Sequence, residues 1–152
     1  MKKTWLKRGT KQLRKLRKDK GSLRLTADAF WVRACIKKWG QNCEVCRKPA
    51  NNIHHFFPKG SFARLRYEIS NGVPLCASCH IGHHWRGDPK IHQAIVYKRG
   101  KKWYDKLVAK SKEEAVSINR VGWYEENIEK LKKYQELEIK KLGLTPSTKN
   151  SF

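Results

Sequence analysis

Residues 75–85 read LCASCHIGHHW and place two cysteines and three histidines within eleven residues. One tetrahedral zinc ion takes four ligands, so this stretch offers more metal-binding groups than a single ion needs. Two further groups lie upstream: a second cysteine pair in residues 43–46 (CEVC) and two adjacent histidines in residues 53–55 (IHH). The sequence thus indicates metal chemistry over residues 43–85 and leaves open whether one ion or two are bound.

The paired cysteines predict a closed zinc site. They are spaced as two CxxC pairs, and each pair can present two thiolates to one ion, which fills the tetrahedron without an open position. A site of this kind is structural, because it ties together the ends of a small core that is otherwise marginally stable. Two reduced pairs without a metal are the alternative. The four residues, which we call the cysteine tetrad, are Cys43, Cys46, Cys76 and Cys79.

The histidines stay available for a second site. His80 and His84 are four residues apart, so on a helix they lie on one face and can share an ion. His54 and His55 are candidates for a third ligand; in a strand they face opposite sides, so one can bind the metal while the other acts as a base. The remaining histidines are expected to be surface or hydrogen-bonded residues, namely His83, which could also pair with His80, and His92.

Five residues in this order resemble the HNH (ββα-metal) nucleases, and their His-His, Asn, His-x3-His spacing looks much like that of the colicin-type DNases. The flanking CxxC pairs are similar to the zinc-bearing HNH endonucleases common in bacteriophages, and NGVPLCASCH (residues 71–80) matches the Asn-to-Cys-His segment of that family. The resemblance covers residues 43–85. Many members have Asp where this chain has His54, so the catalytic divalent ion stays open among Mg²⁺, Mn²⁺, Ni²⁺ and Zn²⁺. The five residues are His54, His55, Asn71, His80 and His84.

The resemblance implies a role for each of these residues. His55 is the general base that takes a proton from the attacking water, and a neutral imidazole suits this task at cellular pH. His54, His80 and His84 hold one divalent ion, which contacts the scissile phosphate and stabilises the charge that develops on the 3′ leaving oxygen. Asn71 restrains the loop that carries His55, or reaches the metal; as a residue before glycine it could instead be only a turn residue.

The formal net charge of +22 favours a polyanionic partner. Residues 111–142 hold seven basic and seven acidic side chains, so the excess lies in the rest of the chain. DNA is the predicted partner rather than a membrane, since no apolar run is long enough for a span and the basic stretch lacks an apolar face. Basic residues near the proposed site are candidates for clamping phosphates, or ordinary members of a basic surface: Lys59, Arg64, Arg66 and Arg86.

We predict an α+β fold, in which a small ββα-metal core is stapled by the four-cysteine zinc site and flanked by helices and a basic N-terminal arm. The arm comprises residues 1–24 and can be disordered when free of a partner. The nuclease core comprises residues 25–110. Thr26 is expected to cap its first helix, which carries Cys35 as a small buried residue and ends at Gly40.

Within the core, residues 43–60 form a knuckle that leads into a strand, and a return segment turns at Asn71-Gly72. A short helix runs from Cys76 to about Trp85, and residues 89–108 form helical segments split by Gly100.

Ser111 and Glu114 make a capping box that opens a last long helix over residues 111–142, and residues 143–152 form a polar tail. The apolar stripe of the last helix packs on the core or on a partner, and core packing is the favoured reading. The stripe consists of Tyr124, Ile128, Leu131, Tyr134 and Leu142.

The leading hypothesis is a metal-dependent DNA endonuclease that hydrolyses phosphodiester bonds. One site of this kind cuts one strand, so a monomer nicks DNA and double-strand cleavage requires a homodimer or a second binding event. The resemblance points to a bacteriophage or mobile-element protein, either a homing enzyme or a packaging-associated one. Five cysteines without an export signal suit the reducing cytosol of a bacterium or phage-infected host.

Two alternatives remain. A non-catalytic zinc-ribbon protein that binds DNA or RNA would have the same charge and the same cysteines. A structure-specific nuclease, such as a branched-DNA resolvase, could use the same histidines.

Overall fold

The computed structural model describes residues 11–85, 88–113 and 120–141. In this part of the chain, five α-helices surround one two-stranded sheet, which confirms the predicted α+β class. None of the described helices is long and apolar enough to cross a membrane. The elements are α1 (Lys11–Trp39), β1 (Asn52–His55), β2 (Gly72–Leu75), α2 (Ala77–Trp85), α3 (Pro89–Arg99), α4 (Lys101–Ser111) and α5 (Val121–Lys141).

The two strands form an antiparallel ribbon whose faces pack against different helices. His54 lies opposite Val73, and His55 lies opposite Gly72. Because side chains alternate along a strand, Val73 points into a core cluster formed with α3 and α4, whereas Ile53 packs against a second cluster formed by α1 and α5. The ribbon is therefore covered on both faces.

Gly72 is a point of close approach between α1 and the ribbon. A Cβ atom at this position would lie 2.3 Å from Sγ of Cys35 and 3.0 Å from Cζ2 of Trp31, so only glycine leaves room for the helix. The backbone of Gly72 is extended, with φ −85° and ψ 131°, and this residue begins β2. The predicted turn at Asn71-Gly72 is therefore wrong. The chain turns back earlier, through two 3₁₀ turns between residues 63 and 71, and the glycine provides space.

Helix α1 begins well before its predicted cap. Thr26 lies in the interior of the helix, where its hydroxyl donates a hydrogen bond to the carbonyl oxygen of Ser22 (3.0 Å). The predicted N-cap is wrong because the preceding basic and leucine residues are good helix formers and no proline interrupts them. The predicted end is confirmed, since Gly40 has φ 83° and follows the last helical residue. Of the predicted arm, residues 11–24 are helical and residues 1–10 lie outside the described residues.

Gly100 separates α3 from α4, as predicted, and has φ 86°. Ser111 is the last residue of α4, and its hydroxyl donates to the carbonyl oxygen of Val108 (2.7 Å). The predicted capping box is therefore wrong: Leu107 anchors the end of α4 in the core, the helix continues through Ser111, and α5 begins only later in the chain. Glu114 itself lies outside the described residues.

The apolar stripe of α5 packs on α1, which confirms the prediction that this helix belongs to the core. The contact is completed by a hydrogen bond from Nε2 of Gln135 to the carbonyl oxygen of Phe30 (3.1 Å). Leu142 lies outside the described residues. The members of the stripe in this contact are Tyr124, Ile128, Leu131 and Tyr134.

A buried ion pair joins the first cysteine pair to strand β2. Arg99 of α3 pairs with Glu44, and both side chains are only 3% exposed. The same guanidinium donates to the carbonyl oxygens of Ser70 (3.0 Å) and Gly72 (2.7 Å) and lies 3.8 Å above the ring of Trp39. These contacts compensate the buried charges and fix the start of β2 relative to the loop that carries Cys43 and Cys46.

Candidate active site and metal centre

The cysteine tetrad comes together where β2 leads into α2. Its four Sγ atoms all lie within 4.8 Å of one another, and among the described side chains this is the one group of three or more potential ligands that meets so closely. Cys43 and Cys46 lie on a tight loop, in which the N–H of Cys43 donates to the carbonyl oxygen of Lys48 (2.7 Å). Cys76 precedes α2 and Cys79 lies in its first turn.

The thiol of Cys43 is prepared for ionisation. Burial opposes the charge, but backbone hydrogen bonds from Cys46, Cys76 and Val45 outweigh burial and lower the pKa of Cys43 to about 7. The tetrad is therefore positioned to bind a metal ion, and four thiolate donors are consistent with a closed structural zinc site. Cys35 stays apart from the tetrad: it is fully buried, as predicted, and burial raises the pKa of its thiol to about 12.

Two histidines of α2, His80 and His83, approach His54 on one face of the ribbon. The ring centroid of His54, which is 5% exposed, lies 5.2 Å from that of His80 and 4.7 Å from that of His83. The alternative that His83 pairs with His80 fits this arrangement better than a surface role, because the spacing of three residues puts both on one face of α2. His84 lies in the last turn of α2, and its side chain is outside the described part of the structure. A buried imidazole beside two others is a donor set that suits Zn²⁺ or Ni²⁺ better than Mg²⁺.

His55 projects from the opposite face of the ribbon toward α1. Its ring is stacked on that of Trp31, with centroids 3.9 Å apart and an angle of 10° between the planes. Nε2 of His55 lies 2.8 Å from the carbonyl oxygen of Arg66. A carbonyl oxygen can only accept, so Nε2 carries the hydrogen and Nδ1 keeps its lone pair. Burial, together with the charges of Lys59 and Arg66, lowers the pKa of His55 to about 4, so the imidazole is neutral at cellular pH.

Asn71 is fully buried, and its side-chain amide closes the loop that follows His55. Its Oδ1 accepts a hydrogen bond from the N–H of Phe57 (2.8 Å), and its Nδ2 donates to the carbonyl oxygens of Phe57 (3.1 Å) and Leu65 (3.0 Å). The amide is thus directed at the backbone of the loop. This geometry favours a restraining role over contact with a metal ion.

Two of the four basic candidates pair with carboxylates. Arg66 contacts both carboxylate oxygens of Asp28 through Nη2, at 2.9 and 2.8 Å, and its side chain is 13% exposed. Arg64 pairs with Glu113 at 2.5 Å on the surface. The charge of Arg66 is therefore largely compensated within the protein. Arg86 lies outside the described residues.

A cavity of about 250 Å³ lies beside the two adjacent histidines of β1. It has room for a phosphate group together with a water molecule. The exposed side chain of Lys59 at its edge supplies a positive charge near both imidazoles. The lining consists of Ile53, His54, His55, Pro58, Lys59, Gly60 and His80.

Three residues at this site were not singled out as functional by the sequence pattern. Trp31 and Asp28 belong to α1, outside the segment that carries the family resemblance, and the apolar pattern round Trp31 indicated only burial. The available signal for His83 was its helical spacing from His80. His92, in contrast, packs its ring against Phe56 at 4.6 Å, in keeping with an ordinary structural role.

Comparison with known proteins tests the family resemblance of this segment. Residues 43–86 match the family model described as HNH endonuclease. A mitochondrial DNA mismatch repair protein mutS homolog of Sarcophyton glaucum is 36% identical over 68 residues, an alignment that covers 37% of this chain and only 7% of that protein. No solved structure matches the chain significantly. The resemblance to the HNH endonucleases is thus confirmed, and residues 43–86 carry the domain of that family.

Proposed function

We propose that this protein is a metal-dependent endonuclease that hydrolyses phosphodiester bonds in DNA. The observation that carries the proposal is that two neighbouring histidines project from opposite faces of the ribbon. His54 lies beside His80 and His83 of α2, whereas His55 is a neutral, stacked imidazole on the other face of the ribbon. Both border one cavity that a phosphate can enter.

His55 acts as the general base. Its Nε2–H is engaged by the carbonyl oxygen of Arg66, so the proton of the attacking water passes to Nδ1. Burial lowers the pKa of His55 and thereby keeps this nitrogen unprotonated at cellular pH. Asn71 holds the loop that follows His55 and thereby preserves the shape of the cavity.

His54, His80 and His84 are the residues that would hold the catalytic divalent ion, and His83 is a further candidate because of its distance from His54. When bound, the ion supplies Lewis-acid stabilisation of the charge on the scissile phosphate and leaving oxygen. The imidazole donors favour Zn²⁺ or Ni²⁺, and Mn²⁺ over Mg²⁺. The cysteine tetrad binds a separate, structural Zn²⁺.

DNA is held chiefly by phosphate contacts. Lys59 lies at the cavity, and Arg86 remains a candidate from its position after α2. Residues 11–24 of α1 contain seven basic residues and one acidic residue, and the same helix contacts His55, which lines the cavity, through Trp31. The basic half of α1 therefore supplies non-specific affinity along the phosphate backbone, and binding should weaken steeply with salt.

A plasmid-relaxation assay tests the proposal. Supercoiled plasmid is incubated with the wild-type protein in Mg²⁺, Mn²⁺, Ni²⁺ or Zn²⁺, and with His55→Ala and His92→Ala as matched histidine variants. We expect His55→Ala to keep DNA binding and the tetrad metal but to lose nicking by about 10²–10⁴-fold. His92→Ala should nick normally, because its ring packs against Phe56 outside the cavity. Equal nicking by His55→Ala and wild type would remove His55 from the mechanism.

The competing class is a non-catalytic zinc-ribbon protein that binds DNA or RNA. The tetrad supports this class without any role for the histidines, because a zinc ion bound there would stabilise the fold of a non-catalytic protein equally well. The two proposals separate in the same assay. A wild-type protein that binds DNA tightly and nicks it with none of the four ions is a binder.

The finer features of the proposed function concern substrate and context. We propose that a monomer nicks DNA and that a homodimer cleaves both strands. Sedimentation measures the oligomeric state, and cleavage of linear, nicked and branched substrates measures the substrate preference. The zinc-bearing HNH resemblance supports a bacteriophage or mobile-element origin, as a homing or packaging-associated enzyme. A cytosolic location follows from the need to keep five cysteines reduced.

A further inference from the structure

We propose that helix α1 completes the active site, because Trp31 and the Asp28–Arg66 ion pair position the imidazole of His55. This inference rests on the proposed function, in which His55 is the general base. It extends that function beyond residues 43–86, since Asp28 and Trp31 lie outside the segment that matches the HNH family. Both are positioning residues that act through His55.

Trp31 sets the plane of the His55 ring. The two rings are nearly parallel, 10° apart, with centroids separated by 3.9 Å. The indole cannot move away, because its Nε1–H donates to the carbonyl oxygen of Glu68 (3.0 Å) and its far edge is packed against Gly72. Trp31 is 2% exposed, so the stack is shielded from water. Stacking alone still leaves the imidazole free to rotate within its plane.

The Asp28–Arg66 pair removes that remaining freedom. The carbonyl oxygen of Arg66 accepts the Nε2–H of His55 at 2.8 Å, which determines that Nδ1 is the nitrogen left with a lone pair to accept a proton. The guanidinium of the same arginine is held by both carboxylate oxygens of Asp28, and its Nε also lies 3.1 Å from the hydroxyl of Tyr67. Asp28 and Trp31 are three residues apart and share one face of α1. One helical turn therefore fixes both the plane and the rotation of the base.

This positioning matters because proton transfer requires the base within hydrogen-bond distance of the attacking water. A displacement of about 1 Å can cost about 10²-fold in rate. Trp31 and Asp28 are therefore expected to affect the rate of the chemical step while leaving substrate binding nearly unchanged.

The test compares Trp31→Leu with Trp39→Leu on a saturating duplex oligonucleotide. Trp39 is a matched control: it lies on the same helix, and its indole also donates to a backbone carbonyl, that of Ile69 (3.0 Å), but it does not contact His55. We expect Trp31→Leu to lower kcat about 10- to 100-fold with KM within about threefold. Trp31→Phe, which keeps an aromatic face but lacks the Nε1–H, should recover part of the rate. Trp39→Leu should retain wild-type kcat, although its thermal stability also falls.

The carboxylate is tested in the same way. Asp28→Asn should lower kcat, and Glu113→Gln, which breaks the comparable pair with Arg64, should not. In a His55→Ala background, neither Trp31→Leu nor Asp28→Asn should lower the residual nicking further, because residues that act through the same group are not additive. Equal losses for the Trp31 and Trp39 variants, or fully additive losses in the His55→Ala background, would overturn the inference.

A spectroscopic measurement separates this inference from the proposed function. In the wild-type protein, ¹⁵N NMR should report the Nε2–H tautomer of His55, and the ring protons of His55 should carry an upfield ring-current shift that Trp31→Leu abolishes. If the wild type cuts no DNA, the proposed function fails while this measurement still decides the geometry. The Nδ1–H tautomer or the absence of a ring-current shift would refute the positioning role.

Discussion

Replacement of Gly72 by alanine should destabilise the protein through one identified contact. The new Cβ atom would lie 2.3 Å from Sγ of Cys35 and 3.0 Å from Cζ2 of Trp31, so α1 or the start of β2 must shift. Such overpacking costs about 1–3 kcal/mol of unfolding free energy. The backbone conformation of Gly72 suits alanine, so a lower entropy of the unfolded chain returns about 0.4–1 kcal/mol of this loss. We therefore expect a net loss of about 1–2 kcal/mol.

The steric cause predicts a specific rescue. Cys35→Ala removes the sulfur and leaves Cζ2 of Trp31 at 3.0 Å and Cβ of residue 35 at 3.2 Å, contacts that a shift of a few tenths of an ångström relieves. Alone, Cys35→Ala costs about 1 kcal/mol, because it leaves a small cavity. The double variant Gly72→Ala, Cys35→Ala should be more stable than the sum of the single changes by about 1–2 kcal/mol.

Urea unfolding followed by tryptophan fluorescence measures these free energies, at fixed Zn²⁺ and reductant concentrations. Gly21→Ala is the matched control: Gly21 lies inside α1 with no atom within 4 Å of a new Cβ, so the substitution should stabilise the protein by about 0.5–1 kcal/mol. Two results would contradict the steric argument. One is a Gly72→Ala variant as stable as the wild type, and the other is a double variant whose losses simply add.

Three further predictions concern the metal, the buried ion pair and pH. Chelation should make Cys46 and Cys79, the two more exposed members of the tetrad, reactive toward a thiol reagent. The buried thiol of Cys35, with its pKa of about 12, should react only after unfolding, and its reaction in the folded, chelated protein would contradict this prediction. Glu44→Gln should lower the free energy of unfolding by about 3–5 kcal/mol, because it leaves Arg99 charged and buried without its partner. Asp105→Asn, which removes the exposed pair with Lys101, should change it by less than about 1 kcal/mol. Urea unfolding measures both values. The pKa of His55 is about 4 in the folded protein against about 6.5 when unfolded, so the unfolded state binds the extra proton and stability should fall by about 3 kcal/mol as pH drops from 6.5 to 4. The pH-dependence of stability should be weaker by that amount in His55→Gln, and an unchanged pH profile would exclude the shift.

Local spacing made the metal centre and its framework predictable. Two CxxC pairs, a pair of adjacent histidines and a helical His-x3-His interval each specify geometry over a few residues, independently of distant contacts. The tetrad, helix α2 and the opposite orientations of His54 and His55 follow from these local rules.

Contacts between distant segments were not predictable in this way. Trp31 reaches His55 across twenty-four positions of the chain, and Asp28 reaches Arg66 across thirty-eight. A tryptophan in an apolar helical pattern indicates burial, but nothing in the pattern identifies the residue that it covers. The glycine after Asn71 was assigned to a turn because Asn-Gly is a strong turn signal, whereas the close approach of α1 is a tertiary cause.

The geometry of α2 explains how residues 75–85 contribute both to the cysteine tetrad and to the surroundings of His54. Consecutive residues on a helix point about 100° apart, so the neighbours Cys79 and His80 face different partners. Cys79 joins the tetrad, while His80 approaches His54. A metal at the tetrad would therefore fix the first turn of α2 and, through it, the direction of His80. The cysteines can thus influence the direction of His80 without contacting it.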